Sequence, residues 1–298
     1  MDLVVKSPRI PVPGETILGG DFLMVPGGKG ANQAVAAARL GARVCFVTRL
    51  GDDLFGRESL ENFQREGLDT RFVTLTSHTA SGVALITVDD VGNNAIVVAP
   101  GANAQLSPED VYQAEAEIRS AGAVVVQLEV PMTAVQCAAE LANEAGVPFI
   151  LNPAPAPVET QNLASLRALL ARVEVLTPNE IEAQILTGVE VVDDNSACEA
   201  VERLLSTGVK AVILTMGAKG FLLAADGTME FVPALKVKAI DATAAGDAFT
   251  GSLAVSLAQG RTLREAGLFA NRVAGLCVTR LGAQPSMPTR KEVEEFAA

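Results

Sequence analysis

Five short apolar runs, rich in β-branched residues and separated by stretches of helical periodicity, constrain this 298-residue chain more than any other feature. The runs lie at 44–48, 123–128, 148–151, 174–177 and 211–215, each bounded by turn residues. Helical patterns occupy 30–40, 54–66, 108–119, 132–145 and 196–207. Strands that are apolar throughout must be covered on both faces, and strands separated by helices pair in parallel. The pattern therefore predicts an α/β chain built as three layers, α/β/α, around a mostly parallel central sheet. Two segments break the rhythm. Residues 2–25 read as extended and turn-rich, and 82–99 read as a hairpin, with strands at 83–88 and 95–99 around a turn at 89–94. They are too small for an independent domain and too extended for crossover helices. A small β-sheet lid over a single domain spanning 1–298 is expected. The last third is helical at 246–259, 262–281 and 290–296.

Composition narrows the partners. A net charge of −12 argues against nucleic acid and against a membrane surface. No apolar run approaches the roughly 18 residues of a membrane span. The N-terminus has no basic segment followed by an apolar stretch, and the four cysteines (45, 137, 198 and 277) lie far apart with no CxxC pair. Reduced thiols and a cytoplasmic location are the expectation. A single histidine, His78, leaves little room for histidine-based metal or base chemistry. It precedes the turn at 79–82 and reads as a surface loop residue. No GxGxxG follows a strand, which disfavours a dinucleotide oxidoreductase, and no GxxxxGK[ST] P-loop occurs.

Several stretches could carry chemistry. In IDATAAGDAF (240–249) a β-like run at 235–240 ends in small residues before a helix begins at Gly246. Small side chains let a ligand approach the amides that a helix start cannot satisfy internally, and Asp247 falls in that first turn. Such a carboxylate could deprotonate a hydroxyl beside an anion hole, or it could be an ordinary first-turn acid. In PGGKGANQAVAAA (26–38), Lys29 and Asn32 sit on the entering turn of an alanine-rich helix; they could address a polyol or simply face solvent. In LTPNEIE (176–182), Asn179 and Glu182 share a helix face and could hold hydrated Mg²⁺, or form a capping box. TMGAKG (215–220) could wrap a nucleotide or be a glycine turn. RLGAQPS (280–286) could offer carbonyls to a monovalent cation beside Asp241, or be a helix stop. Glu129 and NPAPA (152–156) end strands, at the edge where open α/β sheets bind ligands.

Taken together these stretches resemble the ribokinase branch of the phosphofructokinase-B type carbohydrate kinases. The resemblance rests on PVPGET (11–16), GGKGANQAVAAARLG (27–41), GDDLFG (51–56), TASGVALI (79–86), LNPAPA (151–156), TPNEIEA (177–183), DATAAGDAFTG (241–251) and GAQPSMP (282–288), in order over nearly the whole chain. The glycine-pair segment with Lys29 and the segment ending in Gly246-Asp247 are the two diagnostic signatures. The resemblance implies ATP-dependent phosphorylation of D-ribose at O5, serving pentose metabolism, on a ribokinase-like fold. By that similarity Asp247 is the base and Ala244, Ala245 and Gly246 form the anion hole. Asp2, Gly28, Lys29, Asn32 and Glu129 hold the sugar. Asn179, Thr215, Gly217, Ala218, Gly220, Gly246 and Asn271 bind ATP, with Asn179 and Glu182 also organising Mg²⁺ through water. Asp241, Thr243, Cys277, Arg280, Gly282 and Ser286 match a loop for K⁺. The lid at 2–25 and 82–99 is implied to close over the sugar and to pair with a second copy as a homodimer.

Two departures from the family pattern stand out. Ala242 replaces the usual Thr of the second signature, outside the base and anion hole, so little effect is expected. The family opens with a strand running into Gly-x-x-Asn-x-Asp, whereas this chain opens at Met1-Asp2. The expectation is that Met1 is an internal methionine of a longer natural protein, with strand and sugar-binding Asn upstream. N-terminal sequencing of the native protein tests this. As it stands, unpaired strand edges, reduced stability and weak sugar affinity are expected. Other acceptors (deoxyribose, fructose or a nucleoside) and a binding protein without turnover are the competing readings.

Overall fold

The computed structural model describes residues 1–157 and 160–296. The chain begins with β1 (Asp2–Ser7), β2 (Phe22–Val25), α1 (Lys29–Arg39), β3 (Thr48–Gly51), α2 (Leu54–Arg65), β4 (Val73–Thr76), β5 (Val83–Asp89) and β6 (Asn94–Ala99). It continues through α3 (Pro108–Gln113), α4 (Glu115–Arg119), β7 (Val124–Val126), α5 (Met132–Glu144), β8 (Phe149–Leu151), α6 (Thr160–Leu170), β9 (Val175–Leu176), α7 (Glu180–Thr187), α8 (Asp194–Leu205), β10 (Ala211–Thr215), β11 (Phe221–Ala225) and β12 (Thr228–Val232). It closes with α9 (Ala245–Ala258), α10 (Leu263–Cys277) and α11 (Arg290–Phe296).

The central sheet has the order β12-β11-β10-β9-β8-β7; β7 to β10 run parallel, β11 pairs antiparallel with β10, and β12 antiparallel with β11. Successive side chains alternate between its faces. Phe149, Leu151, Val212, Leu214, Leu222 and Ala224 pack with α3 to α5, α7 and α8, while Ile150, Val175, Ala211, Ile213, Phe221 and Leu223 pack with α9 and α10. This is the three-layer arrangement expected. Each fully buried Leu, Ile or Phe contributes roughly 1.5–3 kcal/mol. A third core joins α1, α2 and β3 to α9, α10 and α11. Helices α1 and α9 approach so closely that a Cβ on Gly251 would lie 2.4 Å from the Gln33 carbonyl oxygen.

The lid segments form one four-stranded sheet, β2-β1-β5-β6, with β1 and β5 parallel. Register places Val25, Asp2, Ala84 and Val98 in one row, and Met24, Leu3, Leu85 and Val97 in the next row on the opposite face. Its base is tied to α2. The Asp53 carboxylate caps that helix at the Gly56 amide (2.8 Å) and also accepts the Ser81 amide (2.8 Å) and hydroxyl (2.6 Å).

Four local expectations need correction. The run at 44–48 yields a bridge from Cys45 to Asp69 and, with Thr48, only the first residue of the regular strand β3, which pairs with β4 in a separate two-stranded sheet. β3 and β7 each lack a strand on one side among the described residues, so the 123–128 run is half-buried rather than enclosed. Residues 235–240 form no strand; Leu235 and Ile240 are exposed there, with no ladder partner to hold a sheet. The helix expected over 262–281 ends at Cys277. No helix among the described residues is long and apolar enough to cross a membrane.

Candidate active site

The close α1–α9 contact decides what surrounds Asp247. Asp247 is 6% exposed; its Oδ2 accepts the Asn32 side-chain amide at 2.9 Å and Oδ1 the Gln33 side-chain amide at 3.0 Å. Asn32 Oδ1 is buried with no hydrogen-bond partner among the described residues, an unsatisfied acceptor beside that carboxylate. Helix α9 has no side-chain cap. Its N-cap, Ala244, sits in the left-handed region (φ 59°), which costs a non-glycine residue about 1–2 kcal/mol. The Ala245 amide closes a turn onto Ala242 O at 3.2 Å, whereas the Gly246 and Asp247 amides have no backbone acceptor among the described residues. Gly246 is exposed, so these donors are open to an anion.

The remaining sugar-site candidates converge here. Glu129 Oε2 accepts the Lys29 amide at 3.1 Å, serving the uncapped start of α1, where Gly28 (φ 93°) is the N-cap. Asp2 lies against Gly27, whose backbone admits no side chain beside that carboxylate. Burial raises the pKa of Asp247, and Lys29 and the two amides oppose it. Burial likewise raises Asp2 and Glu129, where Asp247 adds repulsion in both, and it raises Glu182. Asp247, Glu129 and Glu182 thus share one lysine, while the N-terminal amine offsets Asp2, so a polyphosphate must arrive with its own cation.

A second group lines the neighbouring sheet edge. Asn179 and Glu182 form the capping box: Asn179 Oδ1 accepts the Glu182 amide (2.8 Å) and Glu182 Oε2 the Asn179 amide (2.9 Å). The other oxygen of Glu182 and the side-chain nitrogen of Asn179 have no partner among the described residues. Thr215 bridges to Asn179 through Pro178 O at 2.9 Å. Gly217, Ala218 and Lys219 make one 3₁₀ turn, and Gly220 (φ 104°) packs where a Cβ would meet Val232 O at 2.0 Å. Asn271 on α10 donates to Pro233 O at 2.8 Å and fixes the strand exit beside that turn.

The third group flanks the approach to α9. Asp241 accepts the Thr243 amide and hydroxyl (2.9 and 2.6 Å) and the Gly282 amide (2.8 Å), and Cys277 Sγ lies 2.9 Å from Ser286 Oγ. The Arg280 side chain turns away to Glu292. Carbonyls of Ala283 and Gln284 are already engaged, but those of Asp241, Thr243, Arg280, Gly282 and Ser286 accept no donor among the described residues. That set of free carbonyls fits a monovalent cation. No cluster of three or more His, Cys, Asp or Glu side chains forms a metal site among the described residues.

The structure adds residues that sequence reading passed over. Gln33, Gln127, Thr177 and Thr250, together with Asn152 of the NPAPA segment, form a hydrogen-bonded chain behind Asp247. Their signal was present: Gln33 interrupts an alanine-rich helix, and Gln127 and Asn152 end apolar strands.

The family profile for pfkB family carbohydrate kinases matches residues 1–290. The chain is 42% identical over 295 residues to the ribokinase of Haemophilus influenzae, covering 99% of this chain and 94% of that one. It is 36% identical over 296 residues to the deoxyribokinase of Salmonella typhimurium, covering 99% and 95%. It superposes on the Arabidopsis thaliana ribokinase complexed with ribose and ATP with a TM-score of 0.88, at 33% identity, covering 99% and 95%.

Proposed function

The chain belongs to the pfkB family of carbohydrate kinases, and from that premise we propose that it transfers the γ-phosphoryl of ATP to O5 of D-ribose. The observation that carries this reading is the buried Asp247 carboxylate beside the open amides of α9, with the unpartnered Asn32 Oδ1 at its flank. Asp247 takes the proton of the attacking hydroxyl. The Gly246 and Asp247 amides, at the positive end of α9, stabilise charge on the phosphoryl in flight, with Ala244 and Ala245 shaping the turn. Asn32, Lys29, Asp2, Glu129 and the Gly28 backbone hold the sugar. Thr215, Gly217, Ala218, Gly220, Asn179 and Asn271 line the nucleotide's place. Mg²⁺ accompanying ATP neutralises phosphate charge, and Glu182 and Asn179 would hold its water. K⁺ would be held by carbonyls of the 241–243 and 280–286 segments, with Cys277 beside them, and supplies fixed positive charge behind the anion hole.

The lid row carrying Asp2 faces the sugar in this reading, and the whole of 1–298 acts as one domain. The opposite row exposes Met24 (49%), Leu85 (52%) and Val97 (66%), a surface suited to the same face of a second copy. The cysteines are all free, which supports a cytoplasmic setting. ADP release measured over ribose, deoxyribose, fructose and adenosine, with and without K⁺, tests the proposal. Ribose-dependent ADP with the phosphate on C5 is expected. No sugar-dependent ADP overturns the reading, and indifference to K⁺ removes the cation assignment. Preference for deoxyribose is the second reading, favoured by the deoxyribokinase relative.

A further inference from the structure

We infer that Gln33, oriented by Gln127 and Asn152, is a positioning residue that fixes the Asp247 carboxylate for proton abstraction; this rests on the kinase reading above. The orientation follows from the hydrogen-bond chain itself. The Thr177 carbonyl can only accept, so Asn152 presents Nδ2 to it at 2.8 Å and turns Oδ1 inward. That oxygen accepts Gln33 Nε2 at 3.1 Å, and the same nitrogen donates to Asp247 Oδ1 at 3.0 Å. Gln33 Oε1 then faces Gln127, whose Nε2 donates at 2.6 Å. Reversing the Gln33 amide would set oxygen against oxygen at Asp247 and at Asn152, and nitrogen against nitrogen at Gln127. The amide is locked with its donor toward the carboxylate.

Gln33 is 3% exposed and acts from behind Asp247, while Asn32, its neighbour on α1, takes the other oxygen. Two donors one residue apart on one helix hold the carboxylate plane and favour its charged form in a buried site. Gln127 leaves β7 two residues before Glu129, which serves the start of α1, so one strand exit is tied both to the base and to the sugar-site helix. The charged or titratable groups that influence Asp247 are Lys29 on α1, Asp2 on β1, Glu129 after β7, Glu182 on α7 and Cys277 on α10. Substitutions at Gln33 or Gln127 leave all of them in place.

The test compares wild type with Gln33→Met, Gln33→Glu and Gln127→Met for kcat, both KM values, the pH profile of kcat/KM and the melting temperature. Gln33→Met is expected to lower kcat by about 10- to 100-fold with both KM values within about threefold. Its acid limb should move up by about one pH unit, and that of Gln33→Glu further, because two carboxylates then share one proton. Gln127→Met should act in the same direction, with a kcat loss of about threefold to tenfold. Should the Gln33 variants not fold, Gln127→Met decides, since that side chain is only partly buried. Folded variants with an unmoved acid limb overturn the inference while wild-type turnover leaves the kinase reading intact. If wild type proves inactive, the kinase reading fails, and NMR titration of the ¹³C-labelled Asp247 carboxyl still judges the lock: an unchanged midpoint in Gln33→Met refutes it.

Discussion

Helices α7 and α9 begin at the same edge of the central sheet and both carry an acid at the third helical position, Glu182 and Asp247. Their fates differ. In α7 the N-cap is Asn179 in extended backbone, and Glu182 folds back to complete a capping box. In α9 the N-cap is Ala244, which has no side chain to offer, so two amides stay open and Asp247 is drawn to donors on α1. Scaffold helices α3, α8 and α10 follow the α7 pattern with full capping boxes. A first-turn acid is thus a cap where the N-cap residue reciprocates. It becomes available for chemistry where the helix start is left unsatisfied and a second helix supplies the hydrogen bonds. Stability is set aside at the start of α9 so that its donors can serve a ligand.

The sharpest way to break this contrast is Asp247→Asn. Loss of the base should reduce kcat by roughly 10²- to 10⁴-fold while ATP binding persists, measured by ADP release and by calorimetry. Stability should move the other way. Burial raises the Asp247 pKa, so the folded state binds the proton more tightly than the unfolded one. Its contribution is greatest below the usual carboxylate range near 4 and declines as pH rises through the folded value. Asparagine removes that decline, and its amide can satisfy the orphaned Asn32 Oδ1 after an Asn32 flip. A higher melting temperature at pH 7, with the gain vanishing near pH 4, is the expected result. For the wild type, kcat/KM should fall on acidification at a pH above the ordinary carboxylate range.

Gly251→Ala comes next. A methyl 2.4 Å from the Gln33 carbonyl must push α9 off α1, costing about 1–3 kcal/mol in denaturant unfolding and lowering kcat as the donors retreat from Asp247. On the other helix, Asn179→Ala removes a cap and should cost about 1 kcal/mol, with a raised KM for ATP if its free amide meets the nucleotide. Smallest is Glu182→Gln, which preserves the capping acceptor and should change stability by less than about 0.5 kcal/mol. A higher Mg²⁺ requirement in that variant would show that α7 combines both duties, and an unchanged requirement would leave Glu182 a cap alone.

Sequence reading located both signatures and the strand-end candidates because each is written within a few residues. It placed the lid from the extended character of 2–25 and 82–99, and the parallel part of the central sheet from four of the five apolar runs. It misjudged 235–240, since β-like composition makes no strand where no neighbour offers a ladder. It placed the 44–48 strand too early, because partner and register are decided by β4. It passed over Gln33 and Gln127, whose meaning lies in what they face.

By itself the sequence determined the layer order, the helix starts with and without caps, and the set of carboxylates and amides from which a site could be made. Those signals act within about one helical turn or one strand. The tertiary structure alone decided which first-turn acid became the base, because Asn32 and Asp247 are 215 residues apart and meet only where Gly251 lets two helices touch. Hydrogen bonds fall away within a few tenths of an ångström. The packing of α1 on α9, rather than any local pattern, therefore gives one carboxylate its chemistry and leaves the other a cap.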